Sequence, residues 1–282
     1  MNFSEQMCYA SYSIAIDIYK NDVFTKKCCI NDSKIDVEKL DSVEDLTYLN
    51  NKLFSLYKIQ PTSNPICNGL KECKKVEKIS NLSVNVPGCN LSCYMCPCSA
   101  KPDNESKNTY FRILNSIKNF NLDYLALSTG GEPFLWKKET LDYLLSIDTQ
   151  TSKKIDITTN GTLLNEEDIE ILKKVKTKLN IIVSISHITN EGYQNIHRNS
   201  NFEKVLKNVE LLKRAGLLQW INVVICQYNV QDLEKIVSFW KEKGIDINFM
   251  IIRESNENIE NSPYFLDFKN NHKNWDYISA KE

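Results

Sequence analysis

Four cysteines fall within ten residues, in Cys89-Asn90-Leu91-Ser92-Cys93-Tyr94-Met95-Cys96-Pro97-Cys98. Thiolates are soft metal ligands, and the first three stand in a C-x3-C-x2-C spacing that lets one loop wrap one metal group. A closed cubane iron–sulfur cluster normally takes four cysteines. Three from one loop leave one iron with an open position, the mark of a catalytic metal and not a structural one. A structural zinc with Cys98 as fourth ligand is the alternative that these residues leave open. Six other cysteines complete the ten: Cys8, Cys28, Cys29, Cys67, Cys73 and Cys226. Cys226 lies in the apolar run 220–226 and reads as a small buried hydrophobe. The remaining five lie in the first 73 residues and, in a reducing compartment, point to metal more than to disulfides.

The cysteine loop needs elements to hold it. From about residue 79 onward, short β-branched runs alternate with amphipathic segments of helical period. Strands are expected at 81–86, 124–128, 154–159, 181–186, 220–226 and 247–252, with helices near 110–120, 137–147, 166–176, 202–215 and 233–243. Asn165 with Glu166, Glu167 and Asp168 is an N-cap followed by an acidic first turn. Gly216 and Gly244 stand where left-handed C-caps fit. Such alternation gives parallel βαβ units. Six units fall short of the eight of a complete barrel, which leaves an open partial barrel or a doubly wound sheet. The cysteines follow the first strand, and Ser128-Thr129-Gly130-Gly131-Glu132-Pro133 ends the second. Both positions are carboxyl ends of parallel strands, where α/β proteins bind ligands. The paired glycines admit close approach to the backbone.

Residues 1–76 read as a separate small cysteine-rich α+β module. Period-two alternation at 12–19, a turn at Asn21-Asp22 and Val23-Phe24-Thr25 predict a hairpin, followed by a helix near 43–57. The barrel then spans 77–253, and 254–282 is a polar extension without a clear period. The chain has 282 residues, 42% of them hydrophobic, with 35 basic and 36 acidic side chains. A formal charge of −1 gives no reason to expect nucleic acid or an anionic membrane as partner. No apolar run approaches a membrane span and no signal peptide is read, so the expected address is the cytoplasm.

Cys89, Cys93 and Cys96, then Gly130-Gly131-Glu132-Pro133, then Thr159-Asn160-Gly161-Thr162-Leu163-Leu164, then Ser184-Ile185-Ser186 with Arg198, resemble the motifs of radical S-adenosylmethionine (radical SAM) enzymes, in order and spacing. The resemblance covers residues 79–252. It implies a partial (β/α)6 TIM-like barrel with a [4Fe–4S] cluster on the three cysteines, its fourth iron chelated by the amino and carboxylate groups of SAM. Reductive cleavage of SAM then gives methionine and a 5′-deoxyadenosyl radical that abstracts a substrate hydrogen. Carried over by motif, Gly130 to Pro133 contact the methionyl amino group, Asn160 and Ser184 lie near the ribose or carboxylate, and Arg198 pairs with the carboxylate. Asn229 lies near the adenosyl part, and Met250 or Ile252 packs on adenine. Many relatives read Ser-x-Asp-Gly after the fourth strand; this chain has Ser186-His187, which puts His187 at the pocket in place of the usual contact. A flavodoxin or ferredoxin-type electron donor is implied as partner.

The N-terminal frame resembles the twitch or SPASM auxiliary-cluster module, permuted to precede the barrel. It implies a second [4Fe–4S] cluster on Cys8, one of Cys28 and Cys29, Cys67 and Cys73, with structural zinc at the same thiols as the alternative. Such modules are commonest in enzymes that modify ribosomally made peptides, which suggests a peptide substrate. A small metabolite or sugar is the runner-up, and an iron–sulfur or zinc binding protein without turnover is the reading from a different class.

Overall fold

A computed structural model describes residues 13–19, 22–27, 30–35, 47–48, 78–96, 101–127, 130–252 and 258–280. Six parallel strands carry the array: β4 (Asn81–Val84), β5 (Tyr124–Leu127), β6 (Lys154–Thr159), β7 (Lys178–Ser184), β8 (Leu218–Ile225) and β9 (Ile247–Ile251). They lie side by side in chain order. A doubly wound sheet reverses its order at a switch point, so this unbroken order selects the partial barrel over the doubly wound sheet.

The helices between them are α1 (Asn104–Ser116), α2 (Lys137–Ser146), α3 (Glu166–Leu172), α4 (Asn190–Ile196), α5 (Phe202–Arg214) and α6 (Leu233–Glu242). Side-chain N-caps start four of the six: Asp103, Asn165, Thr189 and Asn201. Asp103 caps α1 by accepting from the Ser106 N–H at 2.8 Å, so the helix begins at Asn104, ahead of the 110–120 segment that periodicity alone suggests. Asn165 and Asp168 form a reciprocal capping box at α3, as the sequence predicts. Alternate residues of every strand face the helices. Leu82, Leu125, Ile157, Ile181, Val223 and Phe249 join Ile113, Leu144, Val209 and Trp240 in one continuous core. The opposite face carries Asp156, Asn180, Asn222 and Asn248, a polar inner surface produced by the same period of two.

Two expectations change at the ends of the sheet. The extension after 253 is not aperiodic: α7 (Pro263–Asn271) buries Phe265 and Phe268 in the core, and β10 (Tyr277–Ile278) pairs antiparallel with β9. A proline at the first helical turn and two buried aromatics three apart specify α7, a weak signal in a polar stretch. With α7, the sixth strand also has its helix. At the other end the predicted hairpin forms as β1 (Ser13–Tyr19) and β2 (Asp22–Lys27), extended by β3 (Ile30–Ile35). β1 then pairs parallel with β4, from Ser13 opposite Asn81 to Ile16 opposite Val84. One ten-stranded sheet therefore runs across the expected boundary at residue 76. Cys8, Cys28, Cys29, Cys67, Cys73 and Cys98 lie outside the described residues, as does most of the 43–57 helix. No described helix is long and apolar enough to cross a membrane.

Candidate functional site

The carboxyl ends of the parallel strands bring the predicted residues to one edge of the sheet. Cys89, Cys93 and Cys96 follow β4 as half-buried free thiols. The turn N–H of Leu91 points at Cys89 Sγ from 3.4 Å, and Asn160 Nδ2 from 3.7 Å. Cys96 N donates to Cys93 O at 3.2 Å, which folds the loop back on itself. Tyr94 N donates to Ile196 O at 2.8 Å and ties the loop to the end of α4.

The Gly130 to Pro133 segment is locked beneath this loop. A Cβ on Gly131 would stand 2.2 Å from Gly88 O and 2.4 Å from Val86 O, so only glycine fits. Glu132 N donates to Gly88 O at 2.8 Å. The Glu132 carboxylate is 1% exposed and points inward. It accepts from Phe134 N at 3.0 Å, Thr159 Oγ1 at 2.6 Å and Asn160 N at 2.7 Å. Burial pushes its pKa up to about 6 against the pull of those donors. Glu132 thus welds the end of β5 to the end of β6, and its side chain is spent on protein. Asn160 is likewise committed. Its Nδ2 donates to Asn90 Oδ1 at 2.9 Å, and its Oδ1 accepts from Thr162 N at 2.9 Å and Thr162 Oγ1 at 2.6 Å. The cysteine loop is anchored through Asn90 and Thr162, roles the sequence motif does not spell out.

The other predicted residues divide. Ser184, at the end of β7, is half-buried, and its hydroxyl has no partner among the described residues. Arg198 is exposed, its guanidinium 5.7 Å from the ring centre of Tyr94, which also meets Tyr228 edge-on at 4.8 Å. Asn229 is fully buried and spent on backbone: Nδ2 donates to Ser186 O at 2.7 Å and Val224 O at 2.8 Å, and Oδ1 accepts from Cys226 N at 2.8 Å. His187 sits against Gly192, takes the Thr189 N–H on Nδ1 at 3.2 Å and faces Asp232 at 3.5 Å from Nε2. It closes the β7–α4 turn. Met250 is 38% exposed, and Ile252 is half-buried against the core.

Sequence reasoning passed over His197. It is 1% exposed, stacked on Tyr193 with ring centres 4.6 Å apart, and burial pushes its pKa down to about 3. Its Nδ1 lies 3.6 Å from Cys93 Sγ. The chain has only three histidines, but a lone histidine carries no periodic or spacing signal, so only the fold brings it to the loop.

The donor set fits a metal–sulfur group. Burial raises the pKa of Cys89 and pushes that of Cys93 up to about 12, with the neighbouring cysteine charges adding to the shift. Cys89 and Cys93 lose their protons together only against a strongly cationic group. N–H groups nevertheless already point at Cys89, as a ligated thiolate requires. Among the described residues, no group of three or more His, Cys, Asp or Glu side chains is arranged to hold a single metal ion. The zinc alternative would need Cys98, outside the described residues.

A partial parallel barrel with a three-cysteine loop after its first strand and a glycine-locked turn after its second defines a class: an α/β-barrel protein whose candidate site lies at the carboxyl edge of the sheet. The comparisons say which. The Radical SAM superfamily profile matches residues 85–240, more than half the chain, and the chain belongs to that superfamily. Among curated relatives, a GTP 3′,8-cyclase of Aliarcobacter butzleri is 28% identical over 190 residues, 63% of this chain and 57% of that protein. The antilisterial bacteriocin subtilosin biosynthesis protein AlbA of Bacillus subtilis is 25% identical over 163 residues, 55% of this chain and 35% of AlbA. The chain thus matches only about a quarter to just over half of the curated relatives' length. Among solved structures, Streptococcus suis SuiB bound to S-adenosylmethionine superposes with a TM-score of 0.52 at 18% identity, over 95% of this chain and 70% of SuiB. That likeness shows the fold. The family implies a [4Fe–4S] cluster and SAM.

Proposed function

We propose that the chain binds a [4Fe–4S] cluster on Cys89, Cys93 and Cys96 and cleaves SAM there to act on a ribosomally made peptide. The observation that carries the cluster and SAM assignment is the placement of the three-cysteine loop after β4 beside the Gly130-Gly131 turn after β5, the two joined by the Glu132 N–H to Gly88 O bond. What the bound group supplies is one electron to SAM, which parts into methionine and a 5′-deoxyadenosyl radical able to take a substrate hydrogen.

This chain's residues have distinct tasks in that reading. Glu132 and Asn160 hold the two turns at fixed distance through their buried hydrogen bonds. With the Glu132 side chain engaged, the backbone of Gly130 to Pro133 is what receives the methionyl amino group. Ser184 keeps an open hydroxyl for the ribose or carboxylate. Arg198 stands at the rim as the cation for the carboxylate, and Asn229 shapes the turn after β8 that borders the adenosyl part. Cys8, one of Cys28 and Cys29, Cys67 and Cys73 hold a second [4Fe–4S] cluster in the N-terminal residues 1–76, and a flavodoxin or ferredoxin-type protein delivers electrons.

Two likenesses support a peptide substrate: AlbA works in bacteriocin biosynthesis, and SuiB has been solved with its precursor peptide SuiA. The GTP 3′,8-cyclase matches favour a small metabolite as the second reading. The test is anaerobic reconstitution of the full chain, iron and sulfide analysis, then SAM and dithionite with 5′-deoxyadenosine as readout. A fully clustered protein that yields none sinks the radical reading. Iron that does not halve when the four N-terminal positions are changed to Ala removes the second cluster. Faster SAM cleavage with a candidate precursor peptide than with GTP upholds the peptide, and the reverse replaces it.

A further inference from the structure

His197 lies outside the motifs above, and its surroundings fix more than its position. The backbone N–H of Ser186 reaches His197 Nε2 at 3.1 Å. A backbone N–H can only donate, so Nε2 is the acceptor of the ring and carries no proton. The Ser186 hydroxyl also lies 3.1 Å from Nε2 while accepting the Val224 N–H at 3.1 Å, so its own proton is free to point at the ring. In the neutral imidazole the single proton is therefore on Nδ1, and Nδ1 faces Cys93 Sγ at 3.6 Å. The ring has no freedom to turn away. The ring is buried and stacked on Tyr193, and the His197 backbone N–H donates to Tyr193 O at 2.7 Å as the last turn of α4 closes. The chain from β8 through Ser186 to the imidazole ends on one of the three cluster sulfurs.

We propose that His197 is a positioning residue whose Nδ1–H bonds the Cys93 thiolate and raises the reduction potential of the cluster held there. This rests on the cluster assignment above. A hydrogen bond to a ligating sulfur favours the more negative, reduced cluster, because it stabilises added charge. The three sulfurs are not equivalent in this respect. Cys89 receives donors from its own loop and from Asn160 at the end of β6, whereas the donor to Cys93 is a buried imidazole at the end of α4, 104 positions away in sequence. Reduction of the cluster is thereby coupled to the packing of α4 on the cysteine loop, which the Tyr94 N–H to Ile196 O bond holds in register.

The experiment is an EPR-monitored redox titration of the reconstituted full chain, with iron and sulfide counted first. Wild-type protein that takes up no cluster overturns the cluster reading itself, and the titration then has no subject. With cluster loaded, His197→Phe is expected to lower the midpoint by about tenfold in the reduction equilibrium, or 59 mV for one electron. His197→Gln keeps a polar end toward Ser186 but no donor at the Nδ1 position, and should match Phe; it carries the test if the Phe variant does not fold. His197→Asn places an amide N–H where Nδ1 stands and should recover most of the wild-type midpoint. A loaded Phe or Gln variant with unchanged potential overturns the proposal. So does a rise in potential, the signature of water reaching the cluster through a packing defect, or an Asn variant no better than Gln.

Discussion

The carboxyl edge of the sheet has two halves that differ in how their polar groups are used. At the ends of β4, β5 and β6, Glu132, Asn160, Thr162 and Asn90 bond to one another or to backbone. At the ends of β7, β8 and β9 the Ser184 hydroxyl is open among the described residues, and Arg198, Tyr228 and Met250 are exposed. A satisfied buried network is rigid, because any rearrangement strands a polar group in a low dielectric. An open hydroxyl and an exposed cation leave bonding capacity for a ligand. The first half is the more rigid, and the second keeps the free polar groups, which in the proposed reading suits metal and SAM respectively.

Breaking the rigid half should have the largest effect. Gly131→Ala places its Cβ 2.2 Å from Gly88 O and 2.4 Å from Val86 O, both backbone atoms that no rotamer change relieves. The expected loss is above about 3 kcal/mol in urea unfolding, with failure of cluster uptake. A variant within about 1 kcal/mol of wild type would mean that the two turns slide, and the contrast between the halves would go. Asn229→Ala tests an exception inside the open half. It removes the side chain that bonds Ser186 O, Val224 O and Cys226 N around a position at 0% exposure, and should cost about 3 kcal/mol. A cost under about 0.5 kcal/mol would return Asn229 to the ligand-facing set.

Glu132 gives the rigid half a pH signature. Its folded pKa of about 6 stands above the ordinary 4.5, so the fold holds this proton more tightly than the unfolded chain does. The stability so conferred is full below pH 4.5 and is lost as pH rises through 6, about 2 kcal/mol in all. Buried His197, pushed down to about 3, acts oppositely, stabilising above 6.5 and losing that contribution as pH falls. The two offset each other in the raw curve. The readout is therefore the difference between wild type and Glu132→Gln in the metal-free chain, measured by urea unfolding from pH 4 to 8. That difference should fall with rising pH; a flat difference would mean that folding leaves the carboxyl at its ordinary 4.5.

The six strands and most helices were legible because hydrophobic period and caps are local: Asn165 and Asp168 announce α3 on their own. Residues 263–271 were not, since Phe265 and Phe268 are buried by the barrel and not by any pattern in their neighbours. In the site, the cysteine spacing and Gly130-Gly131 reveal chemistry because their geometry is carried within a few residues. The direction in which a side chain spends its hydrogen bonds is not local. Asn160, Ser184 and Asn229 look alike in a motif, yet the fold sends the first and third into protein and leaves the second open. His197 meets Cys93 only through the packing of α4, so no linear feature marks it.

The smallest effect belongs to Ser184→Ala. Its hydroxyl gives up no bond within the described residues, and the residue is half-buried at a strand end, so unfolding free energy should move by less than about 0.5 kcal/mol. SAM affinity of the reconstituted chain should nevertheless fall, by about tenfold for one lost hydrogen bond to a polar ligand group. Equilibrium binding of SAM, followed by the change in the cluster's EPR signal, reads this directly. Asn229→Ala supplies the complement: a large stability loss and, in molecules that stay folded, a smaller change in SAM affinity. If instead Ser184→Ala destabilises the chain and spares SAM binding, the hydroxyl serves the fold as Asn229 does, and the open half of the edge shrinks to Arg198 and the aromatic rim.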